Sequence, residues 1–260
     1  MRTKLTQFTC LHSPALAAAI IVGLFIGAAG ITANAQETTA QEQFDKVVGE
    51  YNQAVQAFSE QYQQATTDEE RQKASESYPT AQAYAVRLLG LAKAHPTDPV
   101  AVDALVWIVT QARFGPENDE AMDILVKNHV QSEKLGPLCL MLVYSGSPSA
   151  GALLETLREK SPHREIQGQA TYALGMFKAQ QQDETAIAEK LFEEVVANYG
   201  DIELYGRTLA DAAKGDLFEM RNLVVGKLAP EIRGQDVDGV EFALTDYRGK
   251  VVVLDFWGDW

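Results

Sequence analysis

The sequence predicts a mainly α protein, a solenoid of helical hairpins, followed by the truncated start of an α/β domain. Between about Phe44 and Asn222 the chain is rich in Ala, Leu, Glu and Gln, and short turns of Gly, Pro, Asn and Asp interrupt it. From Val224 onward the pattern changes to a hairpin signal and a β-branched run. We therefore divide the 260 residues into segments 1–35, 36–222 and 223–260.

The segment 1–35 has the pattern of an export signal peptide. Arg2 and Lys4 form a basic start, residues 15–29 are apolar, and Ala33-Asn34-Ala35 is an A-x-A cleavage site. Cleavage would leave an exported, periplasmic chain with no stable membrane span. A retained anchor that tethers the chain to the membrane is the alternative.

Nine helices are predicted in the segment 36–222. Asp98-Pro99 and Ser147-Pro148 have the pattern of a capping residue followed by proline at the first helical position. The predicted helices cover residues 41–65, 68–94, 99–113, 117–131, 134–145, 148–160, 164–181, 185–199 and 203–222.

An internal repeat is visible within these helices. The segments 104–108, 137–141 and 170–174 begin at a constant spacing of 33 residues, and each opens a helix that a second helix follows. This spacing resembles a degenerate tetratricopeptide array. The last unit resembles it best, with Ala170, Leu174-Gly175, Ala188, Phe192 and Tyr199. Such arrays leave a concave groove, which would hold a protein partner or belong to a plain structural spacer.

The charge of the chain argues against one class of partner. The formal net charge is −14, and removal of the signal peptide, with two bases and no acids, moves it to about −16. An acidic surface repels phosphate backbones, so no nucleic-acid partner is expected.

Cysteine and histidine offer little chemistry within the chain. Cys10 would leave with the signal peptide, and Cys139 lies in an apolar run, where a thiol is expected to be a buried hydrophobe. His95, His129 and His163 have no metal-ligand spacing. No metal site is therefore predicted, and each histidine is expected at the surface or at a helix cap.

The last segment begins with a hairpin signal and continues into a strand signal. Asp238-Gly239 separates residues 232–237 from 240–244, which predicts a hairpin. The β-branched run 251–254 predicts a strand buried on both faces. Asp236-x-Asp238-Gly239 has some likeness to a calcium loop, but the longer loop and its terminal Glu are missing, so a turn is predicted.

Four motifs lie in order along the last 37 residues: Ala229-Pro230, the Asp238-Gly239 hairpin, Arg248-Gly249-Lys250, and a strand that ends in Phe256-Trp257-x-x-Trp260. Together they resemble the start of a thioredoxin-like domain of the TlpA/ResA-like and alkyl hydroperoxide reductase/thiol-specific antioxidant (redoxin) group. The resemblance implies an α/β thioredoxin-like fold that is truncated here. It also implies redox homeostasis or antioxidant activity on protein thiols or disulfides, and no cofactor.

The resemblance also implies where the reactive residues belong. In that group a Cys-x-x-Cys follows the second Trp at a helix N-terminus, where the helix dipole stabilises a thiolate. No catalytic residue is then expected in this chain, because the motif would begin immediately after Trp260. Trp257 and Trp260 would flank the dithiol as an apolar rim, and Asp255 could influence its protonation. Alternatively, the aromatics pack the strand against helices and Asp255 caps a turn.

The end at Trp260 is expected to differ from the biological end, and several explanations stay open. A UGA codon could encode selenocysteine, which would give selenocysteine-x-x-Cys, or the end could reflect a nonsense mutation, a sequencing error or a broken contig. The full-length product is expected to be a thiol-disulfide oxidoreductase or thiol peroxidase, and the chain as given is expected to be inactive. A non-catalytic helical-repeat binding protein with a relic redox tail is the alternative.

Overall fold

The computed structural model describes residues 38–258, without the side chain of Gln182. The predicted signal peptide and Trp260 lie outside this part of the chain. The helices are α1 Ala40–Gln64, α2 Asp68–Glu76, α3 Gln82–Ala94, α4 Pro99–Gln111, α5 Pro116–Asn128, α6 Cys139–Leu142, α7 Pro148–Lys160, α8 Arg164–Ala179, α9 Thr185–Asn198 and α10 Leu209–Asn222. Short 3-10 helices cover Glu133–Leu138, Gln182–Glu184 and Leu244–Tyr247. The strands are β1 Glu203–Leu204, β2 Arg207–Thr208, β3 Arg233–Gln235 and β4 Glu241–Ala243.

The two predicted proline starts are confirmed. The Asp98 carboxylate accepts the N–H of Val100 at 2.9 Å and so caps α4. The Ser147 hydroxyl accepts the N–H of Ser149 at 3.1 Å and caps α7. In both helices proline occupies the first turn, where its missing N–H leaves no hydrogen bond unmade.

Three of the predicted helices are wrong in part. The predicted helix 68–94 is broken into α2 and α3, because Pro79 in the connection lacks a donor and disfavours helix in the residue before it. The predicted helix 134–145 is divided between a 3-10 helix that contains Pro137 and the four residues of α6, and it ends at Leu142. The predicted helix 203–222 begins with the β1–β2 hairpin, and only its later part, α10, is helical.

The helices pack in the order in which they occur along the chain. α3 contacts α4, α4 contacts α5, α5 contacts α7, and α7, α8, α9 and α10 follow in turn. One buried apolar core runs from α1 to α9, and a second joins α8, α9 and α10. This sequential packing is what a stack of helical hairpins requires.

Polar contacts between helices often join residues about one predicted repeat apart. Arg158 donates to Glu194, 36 residues later, at 3.0 Å. A ring nitrogen of His163 lies 2.9 Å from the carbonyl oxygen of Gln131, 32 residues earlier. The structure therefore shows helix pairs in series, whereas the tetratricopeptide assignment stays a prediction.

The tail beyond α10 contains the predicted hairpin. β3 and β4 are antiparallel, with Gly234 opposite Phe242. The carboxylate of Asp236 accepts the N–H groups of Asp238 and Val240, each at 2.9 Å. Asp236 thus closes the connecting loop, and the predicted turn is confirmed.

The predicted strand at 251–254 is wrong. Residues 251–258 have no regular secondary structure, and Val251 and Val253 are 98% and 88% exposed. A strand needs a neighbour to satisfy its backbone groups and cover its apolar face, and β3 and β4 pair only with each other. The described residues therefore show a hairpin, not the sheet of an α/β domain.

None of the described helices is both long enough and apolar enough to cross a membrane.

Candidate functional site

Asp255 and Trp257, two of the predicted flanking residues, lie in the exposed segment 251–258 after the hairpin. Asp255 and Trp257 are both exposed, and Trp257 has 84% of its surface open to solvent. Trp260 is outside the described residues, so its place relative to Trp257 is not part of this structure. The structure leaves the Trp257 ring accessible to another molecule, and the cysteine within residues 38–258, Cys139, is buried in α6.

The hairpin preceding this segment is closed by Glu231 and Thr245. The Glu231 carboxylate accepts the Thr245 hydroxyl at 2.6 Å and the Thr245 N–H at 3.1 Å. The hydrogen bond from the Thr245 hydroxyl lowers the pKa of the Glu231 carboxyl below its usual range. Beside it, the N–H of Leu244 donates to the carbonyl oxygen of Ile232 at 2.9 Å.

A further contact continues this ordered tail. The Asp246 carboxylate accepts the N–H of Ala243 at 2.8 Å, and Ala243 is buried. The Lys250 ammonium lies 5.8 Å from the centre of the Tyr247 ring. These contacts hold the tail together up to the start of segment 251–258, but they supply no nucleophile.

Cys139 is not part of this site. It lies in α6 with its side chain fully buried, and the thiol donates to the carbonyl oxygen of Leu135 at 3.8 Å. Burial raises the pKa of the Cys139 thiol to about 12. The prediction that Cys139 is a buried hydrophobe is confirmed. Because thiol exchange requires an accessible thiolate, we expect this thiol to be unreactive.

The sequence analysis missed one polar group in the helical region. Asp216 of α10 lies beside a pocket between α8, α9 and α10, and its Oδ2 atom is buried with no hydrogen-bond partner among the described residues. A sequence signal for it exists, because Asp216 directly precedes Leu217 and lies three and four residues after the buried Ala213 and Ala212. Such an acid on the apolar side of a helix marks a candidate site.

Comparisons with known proteins relate one short stretch of this chain to redox enzymes. No protein-family model matches, and no solved structure is significantly similar. The chain is 50% identical over 42 residues to the thiol-disulfide oxidoreductase ResA of Geobacillus thermodenitrificans. It is 48% identical over 42 residues to the ResA of Geobacillus kaustophilus. Each match covers 16% of this chain, which spans about a quarter of the length of these curated relatives. The chain therefore contains a short segment similar to thiol-disulfide oxidoreductases, which suggests a thioredoxin-like domain.

Proposed function

We propose that this chain carries the first part of a redoxin/TlpA-type thiol-disulfide oxidoreductase domain behind an exported helical-repeat region. The observation that carries the proposal is the 50% identity to ResA over 42 residues. We assign this match to the C-terminal segment because Ala229-Pro230, Arg248-Gly249-Lys250 and Trp257 lie there. The assignment gives the last segment a redox function that composition alone does not indicate.

Disulfide exchange proceeds by attack of a thiolate on a sulfur atom and passes through a mixed disulfide. Cys139 does not supply this thiolate, because it is buried and its pKa is about 12. We place the attacking thiolate, or a selenolate, in a Cys-x-x-Cys or selenocysteine-x-x-Cys motif immediately after Trp260. In the full gene product Trp257 and Trp260 would form the apolar rim that contacts the substrate disulfide, and Asp255 would lie close enough to influence proton transfer.

The proposal also includes export of the chain and binding of a protein partner by its helical region. The basic start, apolar run and cleavage motif of residues 1–35 support delivery to the periplasm, an oxidising compartment where disulfide exchange has substrates. The sequential packing of the helical hairpins supports a surface that engages a protein partner or substrate.

The DNA that follows the Trp260 codon tests the proposal. We expect an in-frame Cys-x-x-Cys, or UGA followed by x-x-Cys, and then the remainder of a thioredoxin fold. The corresponding gene product should reduce insulin disulfides, and serine in place of either motif cysteine should abolish this activity. The Cys139→Ser variant serves as the matched control and should keep it.

A non-catalytic helical-repeat binding protein with a relic redox tail is the second candidate. It is favoured by the exposed segment 251–258, which forms no strand, and by the burial of Cys139. Unrelated sequence after the Trp260 codon, together with a gene product that does not reduce disulfides, would establish this candidate and reject the first.

A further inference from the structure

A pocket lies between α8, α9 and α10, in the helical region and outside the redox segment. Its walls are largely apolar, and Asp216 and Glu219 of α10 bring two carboxylates to it. The lining residues are Met176, Ala179, Gln180, Phe192, Asp216, Glu219, Met220 and Val224.

One oxygen of the Asp216 carboxylate accepts no hydrogen bond. Its Oδ2 atom is buried and has no hydrogen-bond partner within residues 38–258. Burial raises the pKa of the Asp216 carboxyl, as does the charge of Glu219, whereas a hydrogen bond from the Tyr172 hydroxyl and the charge of Arg207 lower it. A buried carboxylate without a full set of donors is costly, so a cationic donor placed here would be stabilised.

The walls of the pocket suit an unbranched alkyl chain. Met176 and Met220 are flexible, polarisable side chains that adapt to the shape of a ligand, and Phe192 adds an aromatic surface. A lysine side chain has this form, with an aliphatic stem that packs on apolar surface and a compact charge at its end.

We propose that this pocket binds a lysine side chain of a partner protein, with its ammonium group at Asp216 and its stem against Met176, Phe192 and Met220. Asp216 is only partly exposed to the pocket, which suits the compact ammonium of lysine, whereas guanidinium binds best when both oxygens of a carboxylate are accessible. Glu219 at the pocket and the net charge of −14 add attraction for a basic partner. The proposal is independent of the redox function.

Binding can be measured on the whole chain with the ε-methyl groups of its methionines as NMR probes. Nα-acetyl-lysine methylamide is titrated at pH 8, where a carboxyl with a raised pKa is more fully ionised. We expect saturable shifts of the Met176 and Met220 methyl resonances. Met122, which is buried in α5, should not shift and serves as the internal control. The norleucine analogue, which keeps the stem but lacks the charge, should bind at least about tenfold more weakly.

The Asp216→Asn variant tests the role of the carboxylate. It should weaken binding of the lysine probe at least about tenfold, as expected for loss of a charged hydrogen bond. The matched control is Asp123→Asn, which removes an exposed carboxylate from α5 and should leave the affinity unchanged. Absence of shifts at Met176 and Met220 would overturn the proposal. Equal binding of the norleucine analogue, tighter binding of the arginine analogue, or unchanged affinity in Asp216→Asn would also overturn it.

Discussion

The ring of Phe192 lies directly against Gly175. A Cβ atom built on Gly175 would lie 2.7 Å from Cε1 of this ring, closer than real side-chain contacts allow. Gly175 belongs to α8 and Phe192 to α9, so the missing side chain lets the two helices of the last hairpin approach each other. Phe192 also lines the Asp216 pocket, and this close approach therefore helps to form the pocket wall.

Alanine substitution of Gly175 should destabilise the fold. The added methyl group must displace the Phe192 ring in a packed core, which typically costs about 1–3 kcal/mol. The matched control is Gly215→Ala in α10, where nothing lies within 4 Å of the added Cβ. That variant should be more stable by about 0.5–1 kcal/mol, because alanine favours the helix. Urea unfolding measures both, and an equal effect of the two substitutions would show that Phe192 moves aside freely.

Arg164→Lys should lower the melting temperature. The Arg164 guanidinium donates to both carboxylate oxygens of Asp201, at 2.6 and 3.0 Å, and to the carbonyl oxygen of Asn198 at 2.7 Å. Lysine cannot reproduce this two-pronged geometry. Asp201→Asn should have a similar effect, and the double variant should be less destabilised than the sum of the single ones. Thermal melts followed by circular dichroism provide the measurement.

A surface pair provides the control for Arg164. Arg71 and Asp68 lie one helical turn apart on α2 at 3.4 Å, and the Asp68 carboxylate is fully exposed. Arg71→Lys should leave the melting temperature unchanged, because Arg71 makes one long contact to a fully exposed carboxylate, whereas Arg164, which is also partly exposed, makes a two-pronged contact to Asp201. An equal loss in Arg71→Lys and Arg164→Lys would mean that charge alone, without geometry, determines the effect.

Cys139 should resist thiol reagents in the folded protein. The pKa of its thiol, raised to about 12 from 9.0, lowers the thiolate fraction about a thousandfold, and burial also blocks access. The measurement is the rate of reaction with Ellman's reagent at pH 8, in a Cys10→Ser background so that one thiol is counted. Reaction should become fast in denaturant. A fast reaction without denaturant would show that α6 opens readily.

The Glu231–Thr245 contact should make the hairpin sensitive to acid. The pKa of Glu231 is lowered from its model-compound value of 4.5, chiefly by the Thr245 hydroxyl. A carboxyl whose folded-state pKa is lowered stabilises the fold above its unfolded pKa and loses that contribution as the pH falls. Hydrogen exchange of the Leu244 N–H should therefore be less protected in acid. Thr245→Val should reduce this protection at pH 7, whereas Asp255→Asn should not.

Local signals along the sequence account for the correctly predicted elements. The helix predicted at 148–160 has the bounds of α7, because Ser147-Pro148 specifies its start and the capping contact lies within the same few residues. The β3–β4 hairpin follows from Asp238-Gly239 in the same way. These elements depend on contacts between neighbours in the sequence, which local patterns describe.

The predictions from sequence fail where the structure of a segment depends on residues distant in the sequence or on an unusual backbone conformation. The run 251–254 has strong β propensity, yet without a neighbouring strand it has no regular secondary structure and is exposed. The β1–β2 hairpin requires positive φ at Tyr205, a conformation that composition does not predict for tyrosine. The environment of Asp216 depends on α8 and α9, which are distant in the sequence. Its position in the sequence alone therefore gives only a weak signal that it lines a pocket.

Asp216→Asn should stabilise the protein at neutral pH. Burial raises the pKa of Asp216 above its ordinary value of 3.8, so the folded state favours the protonated carboxyl. A group of this kind stabilises the fold below its unfolded pKa and loses that contribution as the pH rises through its folded pKa. Asparagine is uncharged at every pH, so the variant should be more stable than the wild type at pH 7.

The pH dependence of that gain separates binding from structure. Near pH 3 the wild-type carboxyl is largely protonated in the fold, so the difference in melting temperature between Asp216→Asn and wild type should shrink. If the variant is more stable at pH 7 yet loses the lysine probe, the weaker binding cannot result from unfolding. The negative charge of Asp216 would then lower the stability of the folded protein and contribute to ligand binding. Destabilisation of the variant at both pH values would instead mean that Asp216 has its full set of structural partners, and the lysine pocket would lose its basis.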